Sequence, residues 1–229
     1  MTFLSGDNVD RKIFLSILTI SLIALAAAIL LPGGRTVDDH PRLPWDVKVD
    51  PQGNLSVLGI TLGQSTLEQA RTSFELQGKA NLFLTPDNRY VVEVYFQRLY
   101  LSGIRADVVL NMELPEAQAV QMFERGERIS LMGSGTRKIE LSSDDMKLLA
   151  QDKISYITYL PATDLEESLI LGRFGAPEKR MPEPDSTIIH WLYPTKGMDI
   201  AVNPDGKEVI QYINPGDFSM VTGPLQNPN

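Results

Sequence analysis

Cysteine is absent from the 229 residues, which excludes disulfides, zinc–thiolate sites, thiol nucleophiles and a lipidated N-terminal cysteine. Histidine occurs twice, at His40 and His190, too sparse a supply for a histidine-based metal centre. Positive charge is short as well: 21 Lys and Arg stand against 29 Asp and Glu, for a net charge of −8. Phosphate backbones and anionic surfaces repel such a chain, so nucleic acid is not expected as a partner. Charge of either sign is missing from Ile13 to Leu31, the one uncharged apolar run. At about 1.5 Å per helical residue this run would span roughly 28 Å, close to the hydrocarbon core of a bilayer.

That run predicts a single transmembrane helix over 13–32, preceded by a cytoplasmic stretch, 1–12. Arg11 and Lys12 stand directly before it, as in an uncleaved signal-anchor with the N-terminus inside. Ala24-Leu25-Ala26 and Ala26-Ala27-Ala28 satisfy the small-x-small rule of a cleavable signal peptide. Ile29, Leu30 and Leu31 prolong the run beyond both sites, and only a spanning helix needs that extension. The expectation is a single-pass protein of a bacterial inner membrane with its C-terminal domain in the periplasm. Its partners would be the lipid bilayer, through residues 13–31, and an envelope membrane protein or complex.

Behind the apolar run, Gly33 to Pro51 is rich in Gly, Pro and charge and reads as a tether, 33–51. Ser65-Thr66-Leu67-Glu68 has capping-box spacing and predicts a helix to about Gln77. Strands are expected at about Ala80–Leu84, Tyr90–Leu101 and Ile104–Met112, with turns at 85–88 and at Ser102-Gly103. Further helices are expected at Pro115–Arg125 and from Ser142, with a hairpin between them around Gly133-Ser134-Gly135. Strands follow at Ile154–Tyr159, Thr187–Tyr193, Met198–Val202 and Glu208–Ile213.

Thr163-Asp164-Leu165-Glu166 repeats the capping-box spacing, and Leu62 and Leu67 map onto Leu160 and Leu165 at the same offset. This suggests an internal repeat. The fold class expected is therefore α+β: an N-terminal single transmembrane helix followed by two helix-plus-antiparallel-sheet repeats. The first repeat covers 52–115 and the second 154–214, joined by connecting helices and a hairpin over 116–153. The remainder, 215–229, holds prolines and glycines among small polar residues and reads as a mobile tail.

Three features carry a family resemblance: the helix running into Gly172-Arg173-Phe174-Gly175-Ala176-Pro177, the aromatic strand Trp191-Leu192-Tyr193, and the closing hairpin around Asp205-Gly206-Lys207. They resemble the small-lipoprotein family of the outer-membrane β-barrel assembly machinery (SmpA/OmlA, or BamE-like) and the related β-lactamase-inhibitor-like repeat. The resemblance implies a binding or scaffolding role without catalysis. It covers residues 157–213 well and 59–112 loosely. The family's lipidated cysteine is missing here.

No catalytic, cofactor or metal constellation emerges. His40 follows Asp38 and Asp39 in a linker without fixed geometry, and His190 has no nucleophile matched to it by motif. Gly133-Ser134-Gly135-Thr136-Arg137-Lys138 lacks the Gly-Lys-Ser/Thr of a phosphate loop. The acidic pairs Asp144-Asp145 and Glu166-Glu167 sit in first helical turns, where the dipole accounts for them. What remains is surface. In the strand from Tyr90, one face carries Tyr90, Val92, Val94 and Phe96, and the other carries Val91, Glu93, Tyr95 and Gln97. Tyr95, Trp191 and Tyr193 are the partner-binding candidates, because aromatic side chains tend to dominate interfaces. The expected function is a non-catalytic accessory subunit docking on an envelope complex. The alternatives are an envelope hydrolase with its site near His190, and a sensor or inhibitor domain for a soluble ligand.

Overall fold

The computed structural model describes residues 18–22, 24–26 and 41–226. Its main unit, from Pro41 onward, is built on one large antiparallel sheet. The strands are β4 (Lys79–Leu84), β5 (Tyr90–Leu101), β6 (Ile104–Glu113), β7 (Arg128–Leu131), β8 (Arg137–Glu140), β9 (Lys153–Pro161), β10 (Lys179–Pro182), β11 (Ile189–Tyr193), β12 (Met198–Val202) and β13 (Val209–Ile213). Their order is β10-β11-β12-β13-β9-β6-β5-β4-β8-β7. A separate three-stranded sheet comprises β1 (Lys48–Val49), β2 (Leu55–Val57) and β3 (Ile60–Thr61). Five short helices accompany them: α1 (Leu67–Phe74), α2 (Glu116–Glu124), α3 (Ser143–Leu149), α4 (Glu167–Phe174) and α5 (Ser219–Gln226).

Period-two alternation decides which face is covered. Val92, Val94 and Phe96 on β5, Val108 and Leu110 on β6, and Ile157 and Tyr159 on β9 are all buried. They join one core with Leu67, Ala70 and Phe74 of α1, Met122 of α2, Leu149 of α3, Ile170 of α4 and the small sheet's Leu55, Val57 and Ile60. The opposite face has a smaller cover, where Phe218, with Val221 and Leu225 of α5, meets Leu192 and Ile213. Across the rest of that face the strands present half-buried side chains such as Val91, Tyr95, Val109 and Thr158.

Local chemistry explains most element ends. Thr66 caps α1 and forms a reciprocal capping box with Gln69, one residue later than the spacing Ser65/Glu68 suggests. The helix stops at Phe74, where Glu75 adopts a left-handed φ of 54°. The β5–β6 turn uses Ser102 and Gly103, both at positive φ, the geometry that matches strand twist in a two-residue hairpin. Ser142 caps α3 by accepting from the Asp145 N–H.

The two-repeat α+β architecture is corrected. One continuous sheet runs through both supposed halves, because β9 pairs with β6 on one side and β13 on the other. The second capping box does not form. Glu166 precedes α4 without a side-chain cap, and the Leu165 N–H donates to Glu208 Oε2 at 2.7 Å instead. The expected tether also differs. Within it, Trp45 packs edge-on against Phe174, and the Tyr212 hydroxyl donates to the Pro44 carbonyl at 2.7 Å in a buried bond. At the other end, Phe218 is buried and α5 follows it.

The transmembrane expectation is corrected too. Crossing a bilayer takes about 20 apolar helical residues, and no helix among the described residues is long and apolar enough. Residues 18–22 and 24–26 are helical and exposed; the rest of 13–32, with 1–12 and 33–40, lies outside the described residues. The single-pass anchor, the bilayer partner through 13–31 and the inner-membrane location that rested on it are therefore not carried further.

Candidate functional site

The outermost strand of a sheet exposes a row of backbone donors and acceptors, and here the two outermost strands are β10 and β7. β10 reads Lys-Arg-Met-Pro, with Lys179, Arg180 and Pro182 exposed. Charge and a proline are the usual guards against further pairing. β7 reads Arg-Ile-Ser-Leu, all four residues exposed. Ile129 is 57% exposed and Leu131 74%, with Met132 at 45% beside them.

The direction of the β7 backbone follows from the hairpin that makes it. Met132 N donates to Thr136 O at 2.9 Å, and Gly135 N to Met132 O at 2.9 Å. In the register Ser130↔Lys138 and Leu131↔Arg137, antiparallel alternation then turns Ser130 toward β8 and leaves the N–H and C=O of Ile129 and Leu131 pointing outward. The same alternation runs consistently inward, where Thr85 N donates to Arg89 O at 3.0 Å in the turn joining β4 to β5. Among the described residues, β7 pairs with β8 alone. Arg128, Arg137 and Lys138 give this hairpin three cations in a chain of net charge −8.

The three aromatic candidates fall in different places. Trp191 and Tyr193 are each 1% exposed. They lie on the core face, Trp191 opposite Ile200 and Tyr193 opposite Met198. Arg180 lies over the Trp191 ring at 3.9 Å, and the Tyr193 hydroxyl donates to the Gly175 carbonyl at 2.9 Å. Burial pushes the Tyr193 phenol up to about 12. Both are therefore core side chains and no part of a surface, because Trp191-Leu192-Tyr193 is covered on both faces. Tyr95 is half-buried on the opposite face, and its hydroxyl donates to Asp107.

His190 lies in β11 and Asp199 in β12, with Nδ1 and Oδ2 2.7 Å apart. Asp199 is fully buried, and the His190 side chain is 12% exposed. Nε2 of His190 and Oδ1 of Asp199 are buried without a partner, so neither meets a substrate from solvent. Burial pushes Asp199 up against the pull of His190. For His190, burial works against the charged ring, but the bond and charge of Asp199, with Glu183, outweigh it and raise the ring above 6.5. Both shifts mean that the folded pair holds its proton more tightly than the unfolded chain. The His190 contribution is complete below the ordinary histidine value and is lost as pH rises through the raised one, whereas the raised Asp199 carboxyl costs stability already from the ordinary carboxylate value upward. Urea unfolding between about pH 6 and pH 9 is expected to show stability falling with pH in the native chain and a flatter profile in His190→Asn. An identical slope in both would remove the dyad as its cause.

Among the described residues, no group of three or more His, Asp or Glu is placed to hold a metal ion. The signal for the histidine dyad was present in the sequence as an aspartate inside the apolar strand Met198–Val202. The edge had no local signal, since sheet order is set by distant pairings. No protein-family model, curated protein or solved structure matches the chain.

Proposed function

We propose that this chain is a non-catalytic binding module that takes an extended segment of a partner protein as an added strand along β7. The observation that carries the reading is the contrast between the two sheet edges: β10 is guarded by Lys179, Arg180 and Pro182, whereas β7 offers outward backbone groups flanked by exposed Ile129 and Leu131. Strand addition draws affinity from main-chain hydrogen bonds and specificity from alternate side chains. The segment that fits carries apolar residues at alternate positions, to meet Ile129 and Leu131, and acidic residues for Arg128, Arg137 and Lys138. A hydrolase centred on His190 is disfavoured by its buried Nε2.

The test places a photo-reactive residue at Ser130 of the full chain in living cells and identifies the adduct. A defined second protein is expected, and Ile129→Pro should reduce its recovery about tenfold or more, because proline removes an outward N–H and no bond to β8. The same substitution should change stability by less than about 1 kcal/mol. Adducts with a second copy of this chain alone, or no adduct at Ser130, would sink the proposal.

A further inference from the structure

The half-covered face of the sheet holds a second feature, independent of the β7 edge. A cleft of about 560 Å³ opens beside Tyr95, lined by Arg98, Arg105, Asp107, Leu160 and Lys207 among others, within the roughly 300–1,000 Å³ usual for small-ligand sites. We propose that it binds a phosphate monoester carrying a small organic body.

The cleft exists because β5 is irregular. Its pairing with β6 shifts register between Phe96 and Leu99, and Arg98 there takes a φ of 54°. A bulge re-aims side chains, and a left-handed arginine is a strained one, the kind of backbone that gathers at binding sites. Asp107 stabilises this arrangement through both carboxylate oxygens. It accepts the Arg98 N–H through Oδ1 at 2.8 Å and the Tyr95 hydroxyl through Oδ2. The two carboxylate oxygens are thus already engaged by the frame of the site.

The positive charge around Asp107 exceeds what one carboxylate can balance: Arg105 and Arg98 both act on it, after burial and the bonds from Tyr95 and the Arg98 N–H. Among the described residues, neither Arg98 nor Arg105 forms a salt bridge. Lys207 is tied through Nζ to the Ala162 carbonyl at 2.6 Å, which fixes a third cation at the rim, and no salt bridge joins it to a carboxylate among the described residues. Against the one carboxylate of Asp107, the cleft carries a net two positive charges, in a chain whose total is −8. A carboxylate or a phosphodiester brings one negative charge. A phosphate monoester brings about −1.5 to −2 at neutral pH, with three acceptor oxygens suited to arginine forks. The Tyr95 ring and Leu160 supply an apolar wall for the organic part.

The test titrates the full chain with phenyl phosphate by calorimetry, with dimethyl phosphate and benzoate as singly charged controls. Saturable binding of phenyl phosphate is expected, about tenfold tighter than either control and weaker as pH falls below the second phosphate pKa of about 6. Arg98→Asn, which suits a left-handed backbone, and Arg105→Ala should each weaken it about tenfold. Arg137→Ala, in the β7–β8 hairpin, should leave it unchanged, which separates this site from the edge. Vesicles of phosphatidic acid in phosphatidylcholine distinguish the source: sedimentation with them assigns the monoester to a lipid headgroup, and binding of the free probe alone assigns it to a soluble compound. No saturation with phenyl phosphate up to about 10 mM, equal binding of the three probes, or full binding in both arginine variants would overturn the proposal.

Discussion

Trp191→Ala is expected to lower stability by about 3–5 kcal/mol, the range for truncating a fully buried large aromatic. The indole is 1% exposed, so truncation leaves a hole between Ile200, its partner across the strands, and the rest of the core. It also removes the ring beneath Arg180, whose guanidinium lies 3.9 Å from the centroid, a smaller loss of about 0.5–1 kcal/mol because Arg180 is exposed. Urea unfolding should show a lower midpoint with little change in slope. The folded fraction should still engage its partner, because β7 lies at the far edge of the sheet from β11. A variant of native stability that no longer binds would return Trp191 to the surface and contradict the fold described here.

The second large effect is expected at Gly197, between β11 and β12. Its φ is 62°, and a Cβ built there lies 2.1 Å from the Ile213 carbonyl oxygen and 2.8 Å from Leu55 Cδ1. A backbone carbonyl has no rotamer with which to yield. The Ile213 N–H also donates to the Gly197 carbonyl at 2.9 Å, so an alanine must push the turn away from β13 and weaken that bond. Gly197→Ala should cost about 3–5 kcal/mol, combining overpacking with the left-handed penalty. Gly103→Ala is the control. Gly103 also has positive φ, at 83°, but nothing lies within 4 Å of its Cβ position, so the backbone penalty alone, about 1–2 kcal/mol, should appear. Equal losses at the two sites would show that the close approach to Ile213 is not formed.

Strands were the most legible part of the sequence. Alternation from Tyr90 to Leu101 and the Ser102-Gly103 turn located β5 and β6 within a residue, and Met198–Val202 matched β12. Period-two burial and turn chemistry are local, so a single sequence displays them. Caps were less secure. Ser65 and Thr66 both offer a hydroxyl, and only the backbone geometry selects Thr66. Thr163 and Asp164 look like a cap, yet Glu208, distant in sequence, takes the Leu165 N–H. β10 was missed because Lys179, Arg180 and Pro182 are poor strand formers held by pairing with β11. The aromatic candidates divided for a similar reason. Trp191 and Tyr193 sit on alternate positions that face the core, while Tyr95 faces the other side, and the register that decides this is a property of the whole sheet. The β7 edge depends on tertiary order alone. Ile129 and Leu131 read as ordinary strand residues until β8 proves to be the one strand beside them among the described residues.

Amide hydrogen exchange of the purified complex against the free chain tests the β7 reading most directly. If a partner strand is added, the amides of Ile129 and Leu131, which point outward from β8, should slow by about tenfold or more, while those of Ser130, already turned toward β8, and of β10 change little. Unaltered exchange at Ile129 and Leu131, with new protection at β10 or around Tyr95, would contradict the account.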